Sequence, residues 1–121
     1  MCALLSEDGC FSQLDGIRMS PVSTDPKGVV NVDTVFRFSQ NEELVTAEYS
    51  GGSVQRGYLV GRCSGSRLEF SYCQMNDNGT VCGGRSHAEI GQLPDGRLRL
   101  VEHFTWQDGS TGVNTFEQLA N

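Results

Sequence analysis

Turn-forming dipeptides recur at regular intervals along the chain, and this recurrence constrains the fold more than any other sequence feature. They include Asn78-Gly79, Asp95-Gly96 and Asp108-Gly109, and Asn41-Glu42 fills a place in the series that lacks a glycine. Asn-Gly and Asp-Gly favour the positive φ angles of tight hairpin turns. From Gly28 onward the turns follow one another about every 11–17 residues. This spacing leaves segments of roughly 7–10 residues between the turns, which is the length of a β-strand.

The segments between the turns alternate apolar and polar residues with the two-residue period of a half-buried strand. In segment 67–75, for example, Leu68, Phe70 and Tyr72 alternate with charged or small residues. No segment keeps a helical period over three turns, and at most a short helical piece is expected within residues 3–13. The predicted strands are 32–39, 43–50, 54–62, 67–75 and 97–107, with weaker ones at 16–22, 85–92 and 113–119.

About eight strands joined by short turns predict an all-β domain with the topology of an antiparallel up-and-down meander. Such a meander buries its apolar face and removes its exposed edges by closing on itself, so a closed or nearly closed barrel is the predicted fold. A two-sheet β-sandwich is the alternative. The chain of 121 residues has the length of one domain, and we expect an N-terminal extension at 1–15 followed by a single barrel domain at 16–121.

Strand parity assigns the side chains to two faces, one for solvent and one for the interior. The charged residues expected to face solvent are Arg37, Glu48, Arg56, Arg62, Arg67, Glu69, Arg97, Arg99 and His103. The apolar and aromatic residues expected to face inward are Phe36, Phe38, Val45, Tyr49, Leu59, Phe70, Tyr72, Leu100, Phe104 and Trp106. The polar groups expected on this inward face are Gln55, Gln74, Glu102 and the hydroxyls of Tyr49 and Tyr72.

Composition excludes several classes of function. The net charge of −6 and the single lysine argue against nucleic acid as a partner, because phosphate binding needs clustered basic residues. No apolar run approaches the roughly 20 residues that cross a bilayer, and the N-terminus lacks the features of a signal peptide, so we predict a cytoplasmic protein without membrane contact. The five cysteines form no Cys-x-x-Cys pair and are expected to be reduced. No cofactor motif or metal-ligand spacing is present, so neither a cofactor nor a metal is predicted.

Glu102 is the first candidate for a functional residue, because it is the only carboxylate among the apolar inward positions of its strand. Burying an unpaired charge is costly, so this carboxyl must be paired, hydrogen-bonded or protonated. Aromatic surface with a few polar groups is the usual lining of a small-ligand pocket. The residues expected to form a ligand-binding pocket are Glu102, Tyr72, Gln74, Trp106, Tyr49 and Phe36. No catalytic residue is assigned.

Three functions are compatible with these residues. In the first, the open barrel binds a small apolar or aromatic ligand, and Glu102 favours a cationic or hydrogen-bond-donating group on that ligand. In the second, the barrel is fully packed and serves as a structural or interaction module that forms a homodimer through Tyr58 and Val60. In the third, the protein is a small enzyme in which Glu102 acts as general acid or base with Tyr72 as its partner.

A set of short motifs resembles a family of short bacterial all-β proteins, many of which carry the label N-acetylglutamate synthase. The motifs are Thr46-Ala-Glu-Tyr-Ser-Gly-Gly52, Gly57-x-Leu59-x-Gly61, Tyr72-x-Gln74, Asp95-Gly-Arg97, Glu102 and Trp106. The resemblance covers roughly residues 16–117 and implies an all-β domain whose architecture is lipocalin-like or streptavidin-like. Acetyl-transfer chemistry would need a glycine loop that opens a helix and holds a pyrophosphate, and the glycine spacing of segment 55–61 does not match such a loop.

Overall fold

A computed structural model of the chain, described for residues 13–25 and 29–120, contains eight antiparallel strands that form one closed barrel. Each strand pairs with the next one along the chain, and the last strand pairs with the first. The closed meander predicted from the turn spacing is therefore confirmed, and the sandwich alternative is wrong. The strands are β1 (Arg18–Ser23), β2 (Val35–Asn41), β3 (Leu44–Gly51), β4 (Val54–Ser64), β5 (Arg67–Asn76), β6 (Val81–Gln92), β7 (Leu98–Trp106) and β8 (Thr111–Gln118).

The hairpin turns lie at the predicted dipeptides. Gly65, Gly79, Gly96 and Gly109 all have positive φ angles, as tight hairpin turns require. At the place in the series without a glycine, Glu42 itself adopts a φ of 56°. The left-handed conformation is costly for a residue with a Cβ, so the turn geometry and not the residue type decides the backbone at this position.

The inward and outward faces follow the predicted parity, with one correction in β4. Gln55 was expected to face inward, but its side chain is exposed, and the buried residue next to it is Val54. Val54 pairs with Asn76 and Arg56 pairs with Met75, so Gln55 is an extra residue in a β-bulge. A bulge shifts the alternation by one residue, which turns Gln55 outward and restores the predicted parity from Gly57 onward.

The two ends of the barrel differ in how they are closed. At one end the chain before β1 packs against the barrel, where Leu14 is completely buried and its backbone N–H donates to Oε1 of Gln40 at 3.1 Å. Asp15 Oδ1 accepts the backbone N–H of Gln40 at 2.9 Å. Residues 13–15, which the sequence assigned to the extension, therefore contact the barrel. The helical piece predicted at 3–13 lies almost entirely outside the described residues. At the other end, Val29 and Val30 of the β1–β2 connection pack on the core.

The cysteines do not all share one state. Cys73 and Cys82 are free thiols, as expected, whereas Cys63 is disulfide-bonded. The expectation that all the cysteines are reduced is thus wrong at Cys63. No helix within residues 13–25 and 29–120 is long and apolar enough to cross a membrane.

Candidate functional site

A narrow cavity lies inside the barrel, near the end at which Val29 and Val30 pack on the core. The volume that the centre of a water molecule could occupy is about 20 Å³, so the cavity has room for about one water molecule. The lining contains every residue predicted for a ligand pocket, together with further positions from the loop and from β4, β5, β7 and β8. The lining residues are Val29, Val30, Phe36, Tyr49, Leu59, Phe70, Tyr72, Gln74, Glu102, Phe104, Trp106 and Asn114.

Aromatic residues supply half of the cavity lining. Tyr72 and Trp106 meet edge to face, with ring centroids 5.3 Å apart and an interplanar angle of 77°. Phe104 contacts Trp106 in the same manner at 5.9 Å. On the opposite side Phe36 stacks on Tyr49 at 4.2 Å. Edge-to-face pairs of this kind hold rings in fixed orientations, so the wall presents defined ring surfaces to the cavity.

Two glycines of the strands make room for the tyrosine rings. Gly57 faces the ring of Tyr49 so closely that a Cβ at this position would collide with the ring. A Cβ at Gly84 would lie 2.7 Å from the hydroxyl of Tyr72 and would also collide with the backbone oxygen of Thr105. Adjacent glycines in a strand often mark a β-bulge, but the pairings of Gly83 and Gly84 in β6 run without a register shift. Gly84 serves instead to admit Tyr72.

Glu102 faces inward as predicted, and its carboxylate is hydrogen-bonded through both oxygens. The Ser86 hydroxyl donates to Oε2 at 2.6 Å, and the Asn114 side-chain amide donates to Oε1 at 3.1 Å. Asn114 Oδ1 in turn accepts the backbone N–H of Asp25 at 3.2 Å. Burial raises the pKa of the Glu102 carboxyl, and the hydrogen bonds from Ser86 and Asn114 oppose that rise.

A second hydrogen-bonded chain begins at Tyr49. Its hydroxyl donates to Oε1 of Gln74 at 2.8 Å, and the Gln74 amide donates to Oδ1 of Asn76 at the same distance. The Asn76 amide reaches the sulfur of Cys82 at 3.6 Å. Burial, followed by the nearby Glu102 carboxylate, raises the pKa of the Tyr49 hydroxyl well above its usual range. This hydroxyl is therefore a neutral donor that orients Gln74.

The Tyr72 hydroxyl differs from all these groups. Within residues 13–25 and 29–120 it is the one buried side-chain nitrogen or oxygen that lacks a hydrogen-bond partner. Burial raises the pKa of this hydroxyl, with a further contribution from Glu102, and the neighbouring Ser86 hydroxyl, whose own proton goes to Glu102, opposes that rise. The Tyr72 hydroxyl therefore stays protonated and keeps a proton to donate. The enzyme hypothesis paired Tyr72 with Glu102, but the hydrogen-bond partners of Glu102 are Ser86 and Asn114.

A second, smaller cavity lies deeper in the barrel, and the volume that the centre of a water molecule could occupy there is about 10 Å³. It shares Phe36, Leu59, Phe70 and Glu102 with the first cavity, and its other lining residues are apolar. The interior thus consists of two narrow spaces that meet at the Glu102 side chain.

Sequence reasoning missed Ser86 and Asn114. Both occupy inward positions on strands that the sequence predicted only weakly, and both are buried. In the sheet, Ala88, Glu102 and Asn114 stand opposite one another on three consecutive strands. Ser86 and His87 point to opposite faces of β6, as the predicted strand required, and His87 is exposed. A buried carboxylate needs hydrogen-bond donors. Small polar residues at inward positions of the neighbouring strands could therefore have been predicted from the sequence as the donors to Glu102.

Comparison with known protein families supports this architecture. The family model described as avidin-like protein matches residues 12–119. The chain belongs to the avidin-like family. This agrees with the predicted streptavidin-like architecture, and barrels of this family are known for small-molecule binding. No curated protein matches the chain significantly, and no solved structure does. The bacterial source stays a prediction, and the N-acetylglutamate synthase label, which the glycine spacing of segment 55–61 argues against, gains no support from this match.

Proposed function

We propose that the barrel binds a small, neutral, largely flat molecule at the Trp106 end of its interior. The observation that carries this proposal is the buried Tyr72 hydroxyl, which has no partner in the described protein and borders the cavity. A buried donor without an acceptor costs roughly 1–3 kcal/mol. A ligand with a carbonyl or other acceptor facing Tyr72 recovers that free energy on binding.

The shape of the ligand follows from the cavity wall. Tyr72, Trp106 and Phe104 present ring faces and edges that pack best against a flat apolar or aromatic group. The free space fits about one water molecule, so a larger ligand displaces side chains as it enters. Val29, Val30 and Trp106 are partly exposed members of the lining, and they are the side chains we expect to move.

The charge of the ligand follows from Glu102. Both of its oxygens already accept hydrogen bonds from protein donors, and burial raises its pKa towards the neutral form. A cation would have to compete with Ser86 and Asn114 for this carboxyl and would itself lose its water shell. A neutral ligand avoids both costs, so the neutral class is favoured over the cationic one.

The test uses a fragment library of small carbonyl-containing aromatic compounds, with binding measured by protein-observed NMR on the wild type. The best fragment is then titrated into Tyr72→Phe and into Tyr58→Phe, a matched control whose ring lies exposed on the outer face of β4. We expect Tyr72→Phe to weaken binding about tenfold, which corresponds to the loss of one hydrogen bond. Tyr58→Phe should bind like the wild type. Equal affinity in both variants contradicts the proposal.

Self-association is the second candidate function, and an exposed apolar surface favours it. On the outer face of β3 to β5, Leu44, Tyr58 and Val60 are each at least half exposed, and Met75 lies nearby at 37 %. Exposed apolar patches of this kind mark interaction sites when they are contiguous. The predicted homodimer would use this surface. Sedimentation of the wild type and of a Tyr58→Lys/Val60→Lys double variant tests it, and a monomeric wild type at all concentrations contradicts it.

We propose that the protein is cytoplasmic, on the sequence features of its N-terminus. The disulfide at Cys63 removes the supporting argument from reduced cysteines, because disulfides persist mainly in oxidising compartments. Fractionation of cells that produce the protein decides between the cytoplasm and an oxidising compartment.

A further inference from the structure

A groove of about 560 Å³ lies on the outside of the barrel, across the outer faces of β4 to β7. The wall of the barrel separates it from the aromatic cavity, and it is lined mostly by polar and charged side chains. The interior binding site makes no use of this groove, and the self-association surface meets it only at Val60.

The sheet register places the groove side chains in two rows. In one row Glu69, His87 and His103 stand opposite one another on β5, β6 and β7. The two imidazole rings are stacked, with centroids 4.9 Å apart and an interplanar angle of 17°. In the adjacent row, towards the Trp106 end, Arg85 stands between Ser71 and Thr105.

Some of the arginines around the groove form ion pairs with carboxylates, and one does not do so among the described residues. Arg62 pairs with Glu43 at 2.8 Å, and Arg67 pairs with both Glu69 and Glu89, so these carboxylates already have cationic partners. By contrast, no ion pair joins Arg85 to a carboxylate in the described part of the chain. A chain of net charge −6 thus carries an uncompensated guanidinium next to two stacked imidazoles.

We infer that Arg85, His87 and His103 bind a phosphate group on the outer face of the barrel. The guanidinium of an arginine donates to two oxygens of such an anion at once, and protonated imidazoles donate through their N–H groups. The Ser71 and Thr105 hydroxyls flank Arg85 in the same row and supply neutral donors. The groove is much larger than one phosphate ion, which makes a small phosphomonoester the expected occupant.

Binding is coupled to protons because two adjacent imidazolium groups repel each other until an anion lies beside them. A protonated imidazole carries a positive charge and donates through both ring nitrogens, so affinity for an anion rises as the pH falls. The other charged groups around the pair are Arg67 and Glu69 from β5, Arg85 and Glu89 from β6, and Arg62 from β4. On β8 the residue opposite His103 is the uncharged Val113.

The test titrates inorganic phosphate and phenyl phosphate, at constant ionic strength set with sodium chloride, into the isotope-labelled chain at pH 6.0 and pH 8.0. Chemical shifts of the imidazole and backbone groups report the site. We expect saturable shifts at His87 and His103, with affinity several-fold higher at the lower pH. Arg85→Gln should weaken binding about tenfold. Arg37→Gln is the matched control, because Arg37 is also exposed and has no ion pair among the described residues but lies on β2.

The arms of the experiment separate the outcomes. A His87→Gln/His103→Gln variant should lose the higher affinity at pH 6.0 and keep only the opposite pH dependence that comes from the second ionisation of the phosphate itself. Its spectrum elsewhere should match the wild type, since both side chains are exposed. Tighter binding of phenyl phosphate identifies the occupant as an ester, and equal binding identifies it as free phosphate. Shifts that are absent, or equal in Arg85→Gln and Arg37→Gln, overturn the inference.

Discussion

Glu102 and Tyr72 border the same cavity, but within the described residues the polar atoms of Glu102 are hydrogen-bonded and that of Tyr72 is not. Both oxygens of Glu102 accept protein hydrogen bonds, from Ser86 and Asn114. The hydroxyl of Tyr72 is buried and has no partner in the described chain. Burial of a polar group therefore does not by itself mark a binding site. A satisfied group such as Glu102 serves the fold, and the unsatisfied Tyr72 hydroxyl is the group that the proposed ligand would complete.

Replacing Glu102 with alanine should produce the largest loss of stability. The substitution leaves the Ser86 hydroxyl and the Asn114 amide buried without their acceptor, and each such loss costs roughly 1–3 kcal/mol. We expect the free energy of unfolding to fall by about 2–5 kcal/mol at neutral pH, measured by urea denaturation. A loss below about 1 kcal/mol would show that the carboxylate has no structural role, and Glu102 would then not differ from Tyr72 in its contribution to stability.

The pH dependence of stability tests the same carboxyl in the wild type. Its folded-state pKa is raised above the ordinary value of 4.5, so the neutral form is the one that folding favours. Its contribution to stability is therefore fully present below about pH 4.5 and is lost as the pH rises through the raised folded-state pKa. Urea denaturation of wild type and Glu102→Gln should show the wild type losing stability relative to the variant as pH increases. A constant difference between the two contradicts the assignment.

Filling the space beside Tyr49 should cost less. A Cβ at Gly57 collides with the Tyr49 ring, and overpacking of this kind costs roughly 1–3 kcal/mol. Gly91→Ala is the matched control, because Gly91 also lies in a strand and a Cβ there meets no atom within 4 Å. We expect Gly57→Ala to lower the free energy of unfolding and Gly91→Ala to leave it nearly unchanged. Equal effects would mean that the ring has room to move and that the wall is not rigid.

The fold and most of the cavity lining were predictable from sequence because both depend on period-two alternation and on regular turns. This alternation placed Tyr72, Gln74, Glu102 and Trp106 on one inward face, as the structure confirms. It failed at Gln55, since a bulge inserts one residue and two polar residues in succession give no sign of where the alternation breaks.

The partners inside the site were less predictable. Which donors reach Glu102 depends on the register across β6, β7 and β8, and no single strand carries that information. The role of Gly84 depends on the position of the Tyr72 hydroxyl from a neighbouring strand. The width of the cavity depends on ring orientations, which sequence alternation does not specify.

The most direct test of the central claim compares two tyrosine-to-phenylalanine variants in the absence of ligand. Tyr49→Phe removes a hydroxyl that donates to Gln74, and it should lower the free energy of unfolding by about 1 kcal/mol. Tyr72→Phe removes a hydroxyl that has no hydrogen-bond partner in the part of the chain that the structure describes, so it should leave stability unchanged or raise it slightly. A loss in Tyr72→Phe equal to that in Tyr49→Phe would show that its hydroxyl is already satisfied, and would contradict the account.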